Sequence, residues 1–251
     1  MYKEHPVFVQ PPNEEIKVWR YMNFAKLVSL LESRCLFFSR ADKQGDPFEG
    51  SYPKINVSAR LIVPEEIPEP SRSSFLESMK NLGKFTKEWR RHVAVNCWHM
   101  NEHESAAMWK TYLTSAEGIA IQSTYKRLKV SLIDKEPIFL GMVNYIDYQT
   151  EGIDPRNVLS AFMHKRKSYE HEREVRALII RFPIADDALD LSKETITDGI
   201  RIMVSMENLI ERIFVAPASP VWIEELVKSV VAKYGYTFEI KHSGLDEPPL
   251  F

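Results

Sequence analysis

The sequence predicts an α+β fold, in which a mixed or antiparallel sheet with peripheral helices forms a single domain. Short runs rich in β-branched and aromatic residues are mixed with helical patterns, without the regular alternation of a doubly wound sheet. The chain has 251 residues, of which 44% are hydrophobic and 27% are charged. This length and composition are typical of one globular domain with insertions.

Two proline-containing stretches are predicted to lie outside the regular helices and strands of this domain. Residues 1–15 contain three prolines and several charges, which predicts an irregular N-terminal arm before the α+β domain of residues 16–251. Residues 52–72 are polar and contain four more prolines, which predicts a surface excursion from the domain.

In the first half of the chain, residues 16–21 alternate like a strand, and Asn23 is placed to cap the helix that follows. Residues 35–39, 93–99 and 118–123 are predicted as strands, and residues 104–113 as a helix. Residues 74–91 form a helical pattern whose apolar stripe predicts core packing. The stripe consists of Phe75, Leu76, Met79, Leu82, Phe85 and Trp89.

In the second half, strands are predicted at 137–148, 200–204, 212–215 and 237–241. Residues 157–168 are predicted as a helix with a basic C-terminal end, which suits the helix dipole. Residues 220–234 are predicted as a helix with proline at its start and Gly235 at its end.

Charge and hydropathy exclude several classes of function. The net charge of −2 provides no bulk attraction to nucleic acid, and no segment is long and apolar enough to span a membrane. The N-terminus has no apolar signal region, so the expected location is cytoplasmic. The two cysteines lack the paired spacing of a zinc motif, so no metal is expected.

The most informative stretch is residues 168–180, a charged run that turns into an apolar strand. If the chain is extended from Glu172 onward, Glu172, Glu174 and Arg176 point to one face. Two carboxylates and a guanidinium at the mouth of a buried strand are costly in a core and useful in a site. The alternative is an edge strand with both carboxylates solvated and Arg176 paired to one of them.

Other polar candidates lie at the ends of predicted strands: Arg20, Asn96 and Gln122. Residues 42–50 contain Gly45, Asp46-Pro47, Glu49 and Gly50, a composition typical of a tight turn. The functional interpretation is that this loop places Asp46 and Glu49 at the rim of a pocket.

One metal motif matches literally. His99, Glu102 and His103 fit the pattern H-x-x-E-H, which requires both histidines on one face of a helix. Because His99 ends a predicted strand, the pattern is expected to be accidental, and a zinc-dependent hydrolase remains an alternative.

Several segments together resemble a widespread bacterial family catalogued only as a domain of unknown function (number twenty-nine seventy-one). The resemblance rests on Asp46-Pro47-Phe48-Glu49, Met108-Trp109-x-x-Tyr112 and Glu172-x-Glu174-x-Arg176 in this order, and it spans about residues 18–180. The chain departs from the family at Gly45, where asparagine is usual, and at Trp98-His99, where an aromatic residue and serine usually follow the cysteine.

The order of elements is also similar to that of ADP-ribosyltransferases, whose sheet is split. This likeness implies NAD as substrate, with Arg20 supporting the bound dinucleotide, Glu174 as the catalytic glutamate and Glu172 beside it. Asp46, Glu49, Asn96 and Arg176 would complete the binding site, although the middle segment lacks the Ser-Thr-Ser pattern of one transferase class. The implied activity is ADP-ribosyl transfer or NAD hydrolysis, as a toxin or phage-defence effector with a macromolecular acceptor.

A second hypothesis needs no chemistry. The residues Trp98, Met108, Trp109 and Tyr112 indicate either an apolar core or a non-catalytic module that binds a small ligand or a protein.

Overall fold

A ten-stranded mixed sheet organises the residues that the computed structural model describes, which are 1–112, 117–247 and 249–250. Its strands run in the order β1 (Tyr2–Lys3), β6 (Ile138–Met142), β9 (Glu174–Ile180), β4 (Val93–Met100), β2 (Lys17–Asn23), β5 (Gly118–Thr124), β13 (Arg212–Val215) and β14 (Glu239–His242). Beside this row, β3 (Cys35–Arg40) pairs with β4, and β12 (Gly199–Met203) pairs with β3. The pairs β1–β6 and β13–β14 are parallel and the other pairs in this sheet are antiparallel. The predicted α+β class with a mixed sheet is confirmed.

The remaining strands are β7 (Asn144–Ile146), β8 (His164–Arg166), β10 (Ile184–Ala185) and β11 (Ala188–Leu189). Two small sheets, β7–β8 and β10–β11, lie outside the main one.

The α-helices are α1 (Phe24–Ser33), α2 (Lys54–Ala59), α3 (Arg72–Trp89), α4 (Ala106–Tyr112), α5 (Tyr125–Ser131), α6 (Met206–Leu209) and α7 (Val221–Lys233). Short 3-10 turns include residues Ser160–Phe162 and Lys167–Glu172.

Helix α1 illustrates how local sequence fixes an element. The Asn23 side chain accepts a hydrogen bond from the Lys26 amide at 2.9 Å, as the cap prediction required. Leu27, Leu30 and Leu31 are buried at helical spacing against the sheet. The helix ends at Arg34, whose left-handed backbone turns the chain directly into β3.

Helices cover both faces of the sheet. On one face, α1, α5, α6 and α7 pack over a large core that includes Trp98, Ile119 and Val175. On the other face, the end of α3 and residues 159–163 cover β9, and α4 covers the paired aromatic residues Trp19 and Tyr21. The central strands are therefore buried on both sides.

Two expectations about the N-terminal third need refinement. The arm of residues 1–15 is ordered against the sheet: Tyr2–Lys3 pairs with β6, and Phe8 is buried. A Cβ atom at Gly141 would lie 2.8 Å from the Phe8 Cβ, so this close approach requires glycine. The proline-rich excursion at 52–72 contains the short helix α2.

The predicted apolar stripe of α3 is largely wrong as a core. Within this helix only Trp89 is buried, whereas Leu76 and Leu82 are exposed. Helical spacing was present, but the helix lies at the periphery of the fold and only its C-terminal end reaches the sheet.

The predicted helix over residues 157–168 is also wrong. This segment forms a 3-10 turn and then β8, which pairs in parallel with β7. The carbonyl of Phe162 accepts a hydrogen bond from the Arg176 guanidinium, a tertiary contact that a continuous helix would not provide. Tertiary pairing therefore overrides the local helical pattern.

The strand predicted from Glu172 begins two residues later, at Glu174. Residues Lys167–Glu172 form a 3-10 turn, and Arg173 has a left-handed backbone with φ of 41°. β9 lies between β4 and β6, so the interpretation as a solvated edge strand is wrong. Glu174 and Arg176 share a face of the strand as predicted.

Among the described residues, no helix combines the length and the hydropathy that crossing a membrane requires.

Candidate active site in the split of the sheet

The sheet divides at β4, and the division creates a gap. β4 pairs with β2 only through Trp19 with His99 and Val18 with Met100. It pairs with β3 only at its other end, through Ser39–Arg40 with Ala94–Val95. Residues 96–98 therefore border a wedge between β2 and β3, with α1 joining the two diverging strands.

A cavity of about 730 Å³ occupies this wedge. It lies within the range of volumes typical of small-molecule sites. The sequence indicates eight charged or amide candidates at strand ends, in the 42–50 loop and in the 168–180 stretch, and six of them line the cavity: Arg20, Asp46, Glu49, Asn96, Glu172 and Glu174. Two others do not: Arg176 lies beneath the cavity wall, and Gln122 is bonded to Arg212 on a distant strand.

Five charged side chains, four of which line the cavity, form a continuous ionic chain in the order Glu49, Arg176, Glu174, Lys165 and Glu172. Arg176 is 1% exposed, and all five of its N–H groups are bonded. Its Nη1 and Nη2 donate to the Glu49 carboxylate at 2.5 and 3.0 Å, and its Nε donates to Glu174 Oε1 at 2.6 Å. Such fork-to-carboxylate pairs are the strongest kind of charged hydrogen bond.

Lys165 continues the chain towards the cavity. Its Nζ lies 2.9 Å from Glu174 Oε2 and 2.5 Å from Glu172 Oε2. With every member ionised, three carboxylates and two cations leave one surplus negative charge. Glu172, at the cavity end, shares its only described cation with Glu174.

Pairing controls the ionisation of this chain. Burial alone would raise the pKa of Glu174, but Arg176 and Lys165 outweigh it and hold that pKa at about 2. Burial alone would lower the pKa of Lys165, but the attraction of Glu174 raises it above its ordinary value. Glu174 is therefore a carboxylate, and Lys165 a cation, at neutral pH.

Arg20 lies on another wall of the cavity and is paired differently. Its Nη1 donates to the Cys97 carbonyl across the gap at 3.1 Å, and its guanidinium stands 5.8 Å from the centre of the Trp98 ring. Among the described residues no carboxylate lies within ion-pair distance of it. Burial lowers the pKa of Arg20, as expected for a cation that has lost water without gaining a counter-ion.

The loop that carries Asp46 and Glu49 is fixed by its own sequence. The Asp46 carboxylate accepts from the Phe48 amide at 3.0 Å and pairs with Arg166 at 3.0 Å. The Arg166 guanidinium also lies over the Phe48 ring, 4.1 Å from its centre. Gly50 has φ of +67° and contacts Phe162, so the turn needs glycine there. Asp46 thus has a structural partner, and Glu49 faces Arg176.

The wedge also has aromatic and amide groups. Tyr112 and Tyr169 line the cavity with partly exposed rings, and Tyr21 and Trp98 form a more deeply buried part of its wall. The Asn96 side chain donates to the Phe37 carbonyl at 2.8 Å and accepts from Trp98 Nε1 at 2.8 Å. Asn96 therefore bridges β4 and β3 at the point where their ladder ends.

The zinc alternative loses its geometric basis. His99 lies in β4, and Glu102 and His103 are exposed in the turn that follows, so the two histidines do not share a helical face. His99 Nδ1 donates to the Glu172 carbonyl at 2.6 Å. Within the described part of the chain, no group of three or more His, Cys, Asp or Glu side chains is placed to hold a metal.

Lys165 is the main site residue that sequence reasoning missed. It belonged to the basic run 164–167, which was interpreted as the end of a helix. In β8 the side chains alternate instead, and Lys165 joins the acidic pair while Arg166 joins Asp46. In the sequence, only a two-residue alternation within 164–166 could have predicted that Lys165 and Arg166 point to opposite faces of a strand.

Comparisons with known proteins add a distant structural likeness. No protein-family model and no curated protein matches the sequence, so membership of the domain-of-unknown-function family stays a prediction. The chain is similar over 93% of its length to DarT from Thermus sp. 2.9 in complex with carba-NAD+, at 8% identity and a TM-score of 0.38, covering 98% of that chain. The same protein in complex with NAD+ gives 9% identity, a TM-score of 0.39 and 97% coverage, and with ADP-ribosylated ssDNA 9%, 0.38 and 96%. At these values the likeness assigns no ligand and no reaction to the chain.

Proposed function

We propose that the wedge cavity binds NAD and that the protein cleaves its nicotinamide–ribose bond, as an NAD glycohydrolase or an ADP-ribosyltransferase. The observation that carries the proposal is that Arg20 and the acidic end of the ionic chain line one cavity of about 730 Å³. A dinucleotide needs this combination of a cation for its diphosphate and a carboxylate for its reacting sugar.

Arg20 is the group suited to the diphosphate. A guanidinium is planar and always charged, and it bonds phosphate oxygens in pairs. One of its N–H groups has a partner among the described residues, so the others are free for a ligand. The partly exposed rings of Tyr112 and Tyr169 are suited to the planar bases.

Glu172 is the carboxylate suited to the sugar. Cleavage of a glycosidic bond develops positive charge on the ribose, which a fixed carboxylate stabilises. Both oxygens of Glu174 are bound to Arg176 or Lys165, whereas Glu172 Oε1 has no partner among the described residues. In this proposal Glu174, the residue favoured from the sequence, holds Lys165 and Arg176, and Glu172 meets the substrate.

Turnover of labelled NAD by Glu172→Gln and its neighbours tests the proposal. Gln keeps the shape of the side chain and removes its charge, so we expect kcat to fall by about 10²-fold or more. Glu170→Gln is the matched control, because Glu170 is exposed in the same 3-10 turn. The control is expected to keep the wild-type kcat.

Each outcome has a distinct meaning. NAD that binds without turnover, with or without an acceptor such as single-stranded nucleic acid or protein, would replace the enzyme with a non-catalytic binding module. Turnover that survives Glu172→Gln and is lost in a folded Glu174→Gln variant would return the catalytic role to Glu174. No NAD binding by the wild type would overturn the proposal.

A further inference from the structure

One nitrogen in the cavity wall is buried without a hydrogen-bond partner in the part of the chain that the structure describes. His99 is 4% exposed and lines the cavity, and its Nδ1 contacts the Glu172 carbonyl. Because a carbonyl oxygen can only accept, the hydrogen of the neutral ring sits on Nδ1. Nε2 then carries a lone pair, and among the described residues no group donates to it. Buried polar atoms are normally hydrogen-bonded, so a buried Nε2 without a donor indicates a functional role.

In the proposed function the unpaired oxygen of Glu172 stabilises the ribose, so the base is expected to be a different group. The carboxylates of Asp46, Glu49 and Glu174 also line the cavity, and each is paired with a cation. Burial raises the pKa of the Cys97 thiol and those of the Tyr21 and Tyr112 hydroxyls, so these groups keep their protons at neutral pH. His99 is the one histidine among the described residues that line the cavity.

We propose that His99 Nε2 is the general base of the reaction, an inference that rests on the proposed function. An O–H or N–H nucleophile, either water or the acceptor group, attacks the anomeric carbon of the ribose. The bond from that carbon to the nicotinamide nitrogen breaks, and its electron pair leaves with neutral nicotinamide. The proton of the nucleophile passes to Nε2, so His99 becomes an imidazolium beside the carbonyl and side chain of Glu172.

The surroundings of His99 set the pH at which this base is available. His171, Glu172 and Arg173 act on it from the turn before β9, and Glu174 is its cross-strand partner on β9. The centre of the Tyr21 ring lies 6.3 Å from that of His99, and Cys97, Tyr112 and Lys165 line the same cavity. Burial lowers the pKa of His99 from its ordinary value of 6.5, and the carbonyl of Glu172 opposes this effect. Activity is therefore expected to decline below pH 6.5, as Nε2 takes up a proton.

The test is the pH profile of NAD turnover by His99→Asn. The Asn amide can still donate to the Glu172 carbonyl from near the Nδ1 position, but it has no group at the Nε2 position. We expect kcat to fall by about 10²-fold or more, with KM changed only a few fold and the acidic decline abolished. His99→Gln, with an amide near Nε2, is a second variant in case the first does not fold, and the same loss is expected.

His92→Asn is the matched control. His92 is also buried, its Nδ1 contacts Thr195, and its Nε2 has no hydrogen-bond partner among the described residues, but it does not line the cavity. It is expected to keep the wild-type kcat and pH profile. Wild-type kcat and an unchanged acidic decline in a folded His99 variant would overturn the base assignment alone. A wild type that turns over no NAD would overturn the proposed function, and the base assignment with it.

Discussion

Two arginines in neighbouring parts of the sheet have opposite fates. Arg176 is enclosed by Glu49, Glu174 and the Phe162 carbonyl, and each of its five N–H groups is bonded. Arg20 has one backbone carbonyl and no carboxylate among the described residues. The comparison teaches that a buried charge with complete partners maintains the fold, whereas a half-buried charge without them is available to a ligand.

The largest expected effect concerns the stability of Arg176→Met. Removing this cation leaves the buried Glu49 carboxylate without an ion-pair partner among the described residues and Glu174 with Lys165 alone, which is expected to cost about 3–5 kcal/mol of unfolding free energy. Urea denaturation measures the loss. Arg20→Met is the matched variant and is expected to cost no more than about 1 kcal/mol, the net contribution of one hydrogen bond. Equal losses in the two variants would remove the distinction between them.

Arg20→Met, the variant with the smaller expected loss of stability, is expected to weaken NAD binding. Arg20→Met removes the charged hydrogen bonds to the diphosphate, which contribute about 1.5–3 kcal/mol, so the Kd for NAD should rise by at least about tenfold. Isothermal titration calorimetry measures the change. Arg34→Met, on an exposed residue at the end of α1, provides the control. An unchanged affinity in Arg20→Met would show that the free guanidinium does not hold the substrate.

Lys165 pairs with both the buried Glu174 and the cavity-lining Glu172. Its removal is expected to have an intermediate effect on stability. In Lys165→Met, Glu174 keeps Arg176, while Glu172 loses its cation. A loss of about 1–3 kcal/mol is expected, smaller than that of Arg176→Met, when both are measured by urea denaturation. A loss larger than that of Arg176→Met would place the structural centre of the ionic chain at the lysine.

The pH dependence of stability is the smallest expected effect. It distinguishes His99, whose pKa is lowered by burial, from Glu174, whose pKa is lowered by its paired cations. The folded pKa of His99 is lowered by burial, so below its ordinary value of 6.5 the unfolded chain binds a proton that the folded chain does not. Stability therefore declines as pH falls from 6.5 through the folded pKa. Glu174, whose folded pKa is about 2, contributes stability that is fully present above its ordinary value of 4.5 and is lost as pH falls towards 2.

Urea denaturation at pH 7.5, 6.5 and 5.5, about one pH unit apart, measures the contribution of the histidines without that of Glu174. Burial also lowers the pKa of His92, so His99→Asn is expected to reduce the slope between these points rather than abolish it. Glu174→Gln is expected to lower stability at all three pH values without changing that slope. A slope unaffected by His99→Asn would show that the buried imidazole is not the group that titrates.

Much of the fold could be predicted because its signals are local. The Asn23 cap, the apolar spacing of α1 and the alternation of β13 each lie within one short segment. The 157–168 segment could not, because its structure depends on the pairing of β8 with β7 and on the Arg176 bond to Phe162. Pairings between distant segments leave no periodic signal in either segment.

The candidate site shows the same limit. Charged residues at strand ends indicated which side chains would meet around the cavity, since such residues are rarely buried without a role. The sequence did not indicate their partners: Glu49 binds Arg176, Asp46 binds Arg166, and Lys165 holds the two glutamates. Which charges are compensated, and therefore which are free for a substrate, is decided by tertiary contacts alone.

A crystal structure of the wild-type protein with a non-hydrolysable NAD analogue tests the central claim most directly. The predicted result places the diphosphate within hydrogen-bond distance of the Arg20 guanidinium and the nicotinamide ribose against Glu172, inside the wedge between β2 and β3. The analogue bound elsewhere on the protein, or bound in the wedge with its diphosphate away from Arg20, would contradict it.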